Sequence, residues 1–303
     1  MVVVGDLVID VVLAPGRPLQ TGTDVPGRVS IYQGGSAANT ARWLGRLGVP
    51  TQLIGSVGRD HAGRALVAAI RSDGVTTRIV RNGAARTGRI GILVTPDGER
   101  SFVADRGAAD LLGPDDLRAA WFERVGLVHL PAYSLLGEPL GRAGRRAVAL
   151  GRSAGALISL DLASAGPLLA DGRRAALALV TAVAPDLVFA TAAELGALIG
   201  PSGRGEVRAV DLAPIVVIKR GPGGVSVLIR NGGPSRFDVA TRPISVADST
   251  GAGDAFDAGF IAEWLASRAA GRSTNVALRR AAVAGNRVAA RQVSVPRREL
   301  QIV

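Results

Sequence analysis

The sequence predicts an α/β protein built on a doubly wound, mostly parallel β-sheet. Short apolar runs alternate with longer segments of helical periodicity along most of the 303 residues. Two of the runs, 125–130 and 157–161, have no polar face, which is typical of parallel strands covered by helices on both sides. Several helical segments follow glycine-rich turns, and such turns favour ligand sites at the carboxyl ends of the strands.

The individual elements follow from local patterns. Residues 2–13 alternate too little for a strand with one solvent-facing side, so we predict one buried strand there. Two β-like runs flank Pro96-Asp97-Gly98-Glu99, which predicts a hairpin. Further helices are predicted at 62–71, 139–154, 173–183 and 273–291, and further strands at 51–57, 187–189 and 235–240.

Composition restricts the class of protein. With 48% apolar residues, the chain can bury one large core, so we expect a single domain over residues 1–303. Two aspartates, Asp6 and Asp10, interrupt the first apolar run, and no apolar run reaches 18 residues. We therefore expect a cytoplasmic protein with no membrane partner. The absence of cysteine excludes disulfides, thiolate metal sites and thiol nucleophiles.

The net charge of +11 raises the question of nucleic-acid binding. Arginines are scattered along the chain without a block of five or six, and only 4% of residues are aromatic, so no base-stacking surface is indicated. We expect no nucleic-acid partner.

The most informative stretch is Asp248-Ser249-Thr250-Gly251-Ala252-Gly253-Asp254-Ala255-Phe256, which precedes and opens a helical segment. Gly251, Ala252 and Gly253 allow backbone N–H groups to converge on an anion at the positive end of that helix. Asp254 would then act as a general base toward a hydroxyl group that approaches a bound phosphate. A helix start with a capping Asp and a glycine turn is the alternative interpretation.

This stretch resembles the second signature of the ribokinase or PfkB-type carbohydrate kinases, Asp-Thr-Thr-Gly-Ala-Gly-Asp-x-Phe, with Ser249 as a mild departure. The segment 33–48, with its Gly-Gly pair before a helix, resembles the first signature. The resemblance covers nearly the whole chain. It implies a ribokinase-like three-layer α/β/α sandwich with a small β-strand lid, inserted at about 14–33 and 86–105, that also serves as a homodimer contact.

The resemblance also implies an acceptor site. The aspartate that matches Asp10 binds sugar in the family, although a solvent-facing strand position is the alternative. Gly34 and Gly35 would let a sugar ring pack against backbone, and Asn39 offers a donor and an acceptor to hydroxyl groups. Arg106, at the end of the second lid segment, either faces the substrate or is one more solvated arginine.

Nucleotide and metal residues are implied at two turns. Family members carry Asn-x-x-Glu where this chain has Thr191 and Glu194, with the Asn near the phosphates and the Glu organising Mg²⁺ through water. Glu194 is therefore expected to organise Mg²⁺, and Thr191 is the nucleotide-binding candidate, although it lacks the amide of the family's Asn. The same pair forms a capping box, which can hold alongside the metal role. Lys219, Gly221 and Gly224 resemble the family's nucleotide-side Lys-x-Gly-x-x-Gly turn. Relatives have a glycine within 291–294 that this chain lacks, which leaves K⁺ activation open.

Rival chemistries fit poorly. A Walker P-loop needs Gly-Lys-Ser/Thr, but the single lysine, Lys219, precedes Arg220. The Gly-x-Gly-x-x-Gly spacing of dinucleotide-binding proteins fails at both glycine turns. Only His61 and His129 are present, and both are expected to be structural. The sequence thus predicts ATP- and Mg²⁺-dependent phosphorylation of a sugar hydroxyl, with a nucleoside kinase or a non-catalytic binding or regulatory relative as alternatives.

Overall fold

The computed structural model describes residues 1–95, 97–200, 208–230, 234–246 and 248–302. The strands in these ranges are β1 (Val2–Val4), β2 (Val8–Pro15), β3 (Gly27–Gly34), β4 (Gln52–Gly58), β5 (Thr76–Asn82), β6 (Thr87–Val94), β7 (Arg100–Gly107), β8 (Leu127–Pro131), β9 (Leu157–Asp161), β10 (Leu187–Thr191), β11 (Ile215–Lys219), β12 (Val225–Arg230) and β13 (Pro234–Val239). The helices are α1 (Ser36–Arg46), α2 (His61–Ser72), α3 (Leu140–Ser153), α4 (Ala165–Leu168), α5 (Arg173–Val183), α6 (Ala192–Ile199), α7 (Ala252–Ala269) and α8 (Thr274–Ser294). No helix within the described ranges has the length and apolar character to span a bilayer.

The main sheet has nine strands in the order β13-β12-β11-β10-β9-β8-β1-β4-β5. The seven strands from β11 to β5 are parallel, while β12 and β13 pair antiparallel at one edge. One buried core joins the sheet to α3, α5 and α6, and a second core joins its other face to α1, α2, α7 and α8. The predicted doubly wound α/β fold is confirmed, and its central strands are apolar because helices cover both of their faces.

The prediction of one strand over residues 2–13 is wrong. The chain turns at Gly5, whose φ of 152° is rarely adopted by residues with a side chain. A Cβ at Gly5 would also lie 2.8 Å from the Cβ of Ala37. β1 therefore stays in the main sheet while β2 enters a different one. The apolar pattern could not reveal this switch because both halves are buried.

The second sheet has four strands in the order β3-β2-β6-β7. β2 pairs antiparallel with β3 and parallel with β6, and β6 pairs antiparallel with β7. This sheet contains much of the two predicted insertions, but it begins earlier, at Val8. The turn between β6 and β7 is closed by Gly98 N–H donating to the Thr95 carbonyl at 2.8 Å, while Pro96 of the predicted hairpin lies outside the described residues.

Two glycines allow α7 and α8 to pack closely. A Cβ at Gly285 of α8 would lie 2.7 Å from the ring of Phe256, and one at Gly259 of α7 would lie 2.7 Å from Val288. On the sheet side, Phe256 meets Phe189 of β10 edge-on, with ring centroids 6.3 Å apart. This packing fixes the N-terminus of α7 near the carboxyl ends of the central strands.

Candidate active site

The glycine turn before α7 forms the expected helix start. Gly251 adopts the left-handed conformation, with φ of 74°, immediately before the helix. The N–H of Ala252 donates to the Ser249 carbonyl at 3.2 Å, so one of the three N–H groups predicted to bind an anion is already bonded within the turn. A Cβ at Gly253 would lie 3.2 Å from Lys219 Nζ, which brings a cation directly against this turn.

Asp254 projects from the first turn of α7 and lines the cleft described below. Its Oδ1 accepts a hydrogen bond from Ser36 Oγ at 2.7 Å, and its Oδ2 accepts one from Asn39 Nδ2 at 2.9 Å. Burial raises the pKa of Asp254 to about 7, although the two donors favour the ionised form. A carboxylate with a pKa close to neutrality suits a general base.

Asn39 is therefore used differently from its prediction. The prediction had its amide bind the hydroxyl groups of the substrate, but the structure shows this amide donating to Asp254. A contact of Asn39 with the substrate stays a prediction. Ser36, which sequence reasoning missed, lies three residues earlier on α1 and so shares its face of the helix. Its place within the Gly-Gly signature was the signal that could have identified it.

Beneath the turn lies a buried ionic triad. Lys219 Nζ lies 3.1 Å from both Asp161 Oδ1 and Asp257 Oδ1, and the three side chains are 11%, 5% and 0% exposed. Burial alone would lower the pKa of Lys219, but the two carboxylates raise it above its ordinary value. Burial raises the pKa of Asp257 well above its usual range. The ammonium predicted to bind the nucleotide is thus bound by two carboxylates that sequence reasoning missed.

The turn after Lys219 contains two further predicted nucleotide residues, and Thr191 is the fourth. Gly221 and Gly224 have positive φ angles of 54° and 84°, and a side chain at Gly224 would overlap the carbonyl of Val239. The close approach of β13 therefore explains Gly224 without a ligand. Among the described residues of this turn, Lys219 is the one that lines the cleft, and nucleotide contacts of the two glycines stay a prediction.

A cleft of about 800 Å³ separates the carboxyl ends of the main sheet from the second sheet. The second sheet contributes an apolar surface to it: Ile90, Ile92, Phe102 and Ala104. Ile92 is opposite Phe102 in the strand register, and Ile90 is opposite Ala104, so the four side chains share one face. Phe102 is 60% exposed and has room for a ligand to cover it.

Asp10 lines the same cleft and is only 5% exposed. Arg297 Nη1 lies 2.7 Å from its Oδ2. Burial raises the pKa of Asp10, although Arg297 acts in the opposite direction. A side chain at Gly34 would overlap this carboxylate, so the glycine makes room for Asp10, whereas we predicted room for a sugar ring. Arg297 was missed because no local pattern marks it.

Arg106 and Gly35 meet around Asp6. The guanidinium of Arg106 lies 3.3 Å from Asp6 Oδ2 and 2.9 Å from Asp110 Oδ1, and its Cζ lies 4.8 Å from the centre of the Tyr133 ring. A side chain at Gly35, where φ is 102°, would overlap the Asp6 carbonyl. Arg106 lines the cleft, so the structure leaves it facing the predicted acceptor site while bound to two carboxylates.

The predicted capping box at the start of α6 is present. Thr191 Oγ1 accepts from Glu194 N–H at 3.2 Å, and Glu194 Oε2 accepts from Thr191 N–H at 2.8 Å. Burial raises the pKa of Glu194, and the nearby Asp161 carboxylate adds to this effect.

A magnesium ion fits this arrangement in one way. The described residues contain no group of three His, Cys, Asp or Glu side chains that could hold a metal by themselves. Mg²⁺ usually retains several waters and binds one or two carboxylates together with substrate phosphates. Glu194 and Asp161 both line the cleft and match that donor set.

The family model of the pfkB family carbohydrate kinases matches residues 1–297. A fructokinase from Klebsiella pneumoniae is 32% identical over 268 residues, which cover 86% of this chain and 82% of the relative. Fructokinase-1 from Zea mays is 37% identical over 131 residues, and this match spans 42% of this chain and 41% of the plant protein.

Solved structures share the fold. A putative ribokinase II from E. coli has a TM-score of 0.81 at 24% identity, covering 98% of this chain and 93% of that one. Adenosine kinase from Sinorhizobium meliloti has a TM-score of 0.81 at 24% identity, covering 95% and 91%. A fructokinase from Vibrio cholerae, solved with fructose, ADP and calcium ion, has a TM-score of 0.80 at 22% identity, covering 97% and 92%.

Fold and site together define a ribokinase-like α/β protein in which a half-buried carboxylate lies beside a glycine-rich helix start. The chain belongs to the pfkB family of carbohydrate kinases.

Proposed function

We propose that this protein catalyses ATP-dependent phosphorylation of a hydroxyl group on a small sugar or sugar-like molecule. The observation that carries the proposal is Asp254, a carboxylate with a pKa of about 7 at the positive end of α7. It lines a cleft large enough for an acceptor and the phosphate end of a nucleotide. Membership of a carbohydrate-kinase family supports the same reaction class.

In the proposed reaction, Asp254 removes the proton from the acceptor hydroxyl as that oxygen attacks the terminal phosphorus of ATP. The bond from this phosphorus to the β–γ bridging oxygen breaks, and ADP leaves. The N–H groups of Gly251 and Gly253 and the positive end of α7 stabilise charge on the transferring group. Mg²⁺, when bound near Glu194 with the phosphates, would neutralise further charge. Asp10 holds the acceptor by its hydroxyl groups, and Ser36 and Asn39 orient the base.

A nucleoside acceptor is the second candidate. The apolar face of the second sheet, where Phe102 is 60% exposed and Ile90 is partly exposed, favours an acceptor that carries an apolar ring as well as hydroxyl groups. The fold of an adenosine kinase matches this chain as well as that of a ribokinase does.

The opposite face of the second sheet supports the predicted homodimer contact. Leu13, Val29 and Val103 are 40%, 66% and 76% exposed there, and exposed apolar side chains that lie together mark protein interfaces.

The reaction is tested by measuring ADP release from ATP and Mg²⁺ with fructose, ribose or adenosine as acceptor. We expect one acceptor class to raise ADP release far above the rate with ATP alone. Preference for adenosine over the free sugars would favour the nucleoside kinase. A rate that no acceptor changes, with ATP still bound, would contradict the kinase and favour a non-catalytic binding protein.

A further inference from the structure

The segment that follows α8 returns to the second sheet. Leu300 N–H donates to the Ile31 carbonyl at 2.8 Å, and Ser30 Oγ donates to Glu299 at 2.7 Å, so the segment is fixed to β3. Between these contacts and α8 lies Arg297, whose side chain is 10% exposed and whose Cζ lies 4.3 Å from the centre of the Tyr32 ring. A charged side chain buried to this extent needs partners.

The partners of Arg297 come from two separate elements, and one of these partners, Asp10, lines the cleft. Its Nη1 lies 2.7 Å from Asp10 Oδ2, and its Nε lies 2.9 Å from Asp248 Oδ2. Asp10 belongs to β2 of the second sheet, and Asp248 opens the glycine turn before α7. One guanidinium therefore bridges the predicted acceptor site and the phosphate side of the cleft.

Asp248 transmits this contact to the turn backbone. Its Oδ1 accepts from Thr250 N–H at 2.8 Å, next to Gly251. The same oxygen lies 2.8 Å from Arg100 Nη2, while Arg100 Nη1 donates to Ser249 Oγ at 2.6 Å. The position of the turn is therefore tied to β7 through Arg100 and to β2 through Arg297.

We propose that Arg297 is a positioning residue that couples the acceptor site to the phosphate site, by holding Asp10 and Asp248 at a fixed separation. This rests on the proposed kinase function. The planar guanidinium can donate to two carboxylates from different nitrogen atoms at once, which a lysine ammonium at the end of a flexible stem does not reproduce. Gly34 has no side chain and so leaves room for the Asp10 carboxylate in the position where it meets Arg297.

The coupling predicts a distinctive kinetic pattern. In Arg297→Ala, both the KM for the acceptor and the KM for ATP rise, the former by roughly 10- to 100-fold because a charged hydrogen bond is lost. Asp10→Ala raises the acceptor KM alone. Guanidinium ion added at millimolar concentration restores both KM values of Arg297→Ala but does not restore the acceptor KM of Asp10→Ala. Arg297→Lys behaves like Arg297→Ala. Arg298→Ala, an exposed neighbour, serves as the matched control and changes nothing.

A second measurement needs no turnover. Hydrogen exchange in the ligand-free Arg297→Ala protein should become faster both in 8–13 and in 249–254, which are far apart in sequence, and should stay unchanged in Arg298→Ala. An acceptor KM effect alone, or faster exchange confined to β3 and the C-terminal segment, overturns the coupling. A wild-type protein that phosphorylates none of the acceptors would count against the proposed function, while the exchange measurement would still decide the role of Arg297.

Discussion

The floor of the cleft and its cover differ in how deeply their side chains are buried. The floor consists of main-sheet strand ends and α7, where Asp161, Lys219 and Asp257 are at most 11% exposed. The cover is the second sheet, whose edge strand β7 leaves Phe102 and Val103 60% and 76% exposed. The floor is packed on both faces and can therefore hold charges in fixed positions. The second sheet exposes apolar side chains, so it can move without disrupting the hydrophobic core.

This difference suggests that the chemistry depends on the floor and the access of substrates depends on the cover. Charges removed from water keep fixed partners, because separating them costs several kcal/mol per ion. Contacts of the cover with the turn include the ion pair of Arg100 with Asp248. Both side chains are at least 20% exposed, so this pair is easier to break.

The largest effect is expected at the base on the floor. Asp254→Asn should lower kcat by about 10²- to 10⁴-fold, because the amide cannot take the proton from the acceptor hydroxyl. Fold and ATP affinity should change little, since the two side chains are nearly isosteric. Circular dichroism, ATP calorimetry and ADP release are the measurements. Retention of most of the activity would show that Asp254 is not the base.

The buried triad should affect stability strongly. Lys219→Met leaves Asp161 and Asp257 without their cation and should reduce the free energy of unfolding by about 3–5 kcal/mol. Urea titration measures the loss, with Arg146→Gln on the exposed face of α3 as the control. The double variant Lys219→Met/Asp257→Asn should recover part of the lost stability. A Lys219→Met protein as stable as the control variant would show that the triad contributes nothing to the rigidity of the floor.

The pH dependence of turnover reports the environment of the base. If Asp254 is the base, as proposed, it acts in its deprotonated form. Because its pKa is about 7, kcat/KM should then rise about tenfold per pH unit below pH 7 and level off above it. Ser36→Ala removes a donor to the ionised carboxylate, so the pKa rises and the acid limb moves to higher pH. Thr181→Ala, remote from the cleft on α5, is the control. If the acid limb of Ser36→Ala does not move, Ser36 does not influence the pKa of the base.

The cover should respond to the acceptor more than to the nucleotide. An acceptor that is turned over should slow hydrogen exchange in 14–33 and 86–105, whereas ATP alone should slow it mainly in 219–224 and 251–254. The effect is the smallest of the four because exposed strands exchange readily in any state. If both segments exchange equally fast with and without the acceptor, the lid interpretation is wrong. The two segments would then serve as subunit contacts or surface loops.

Local signals explain what could be predicted for the site. The start of α7 and its Asp254 follow from glycines placed before a helical apolar pattern. The capping box of Thr191 and Glu194 is likewise a four-residue pattern, and the structure contains it. The parallel sheet follows from strands that are apolar throughout. Each of these features is decided by residues that are neighbours in the chain.

Only the tertiary structure decided which charges meet. Asp10 and Arg297 are separated by 287 positions, and Lys219 and Asp161 by 58, so no periodicity relates them. The sequence also did not reveal that the chain passes from one sheet to the other at Gly5. The residues before and after Gly5 are both buried, but by different parts of the fold. The sequence by itself therefore determined the fold class and the place of the proposed base at the start of α7, while the tertiary structure determined which ionic partners lie around it.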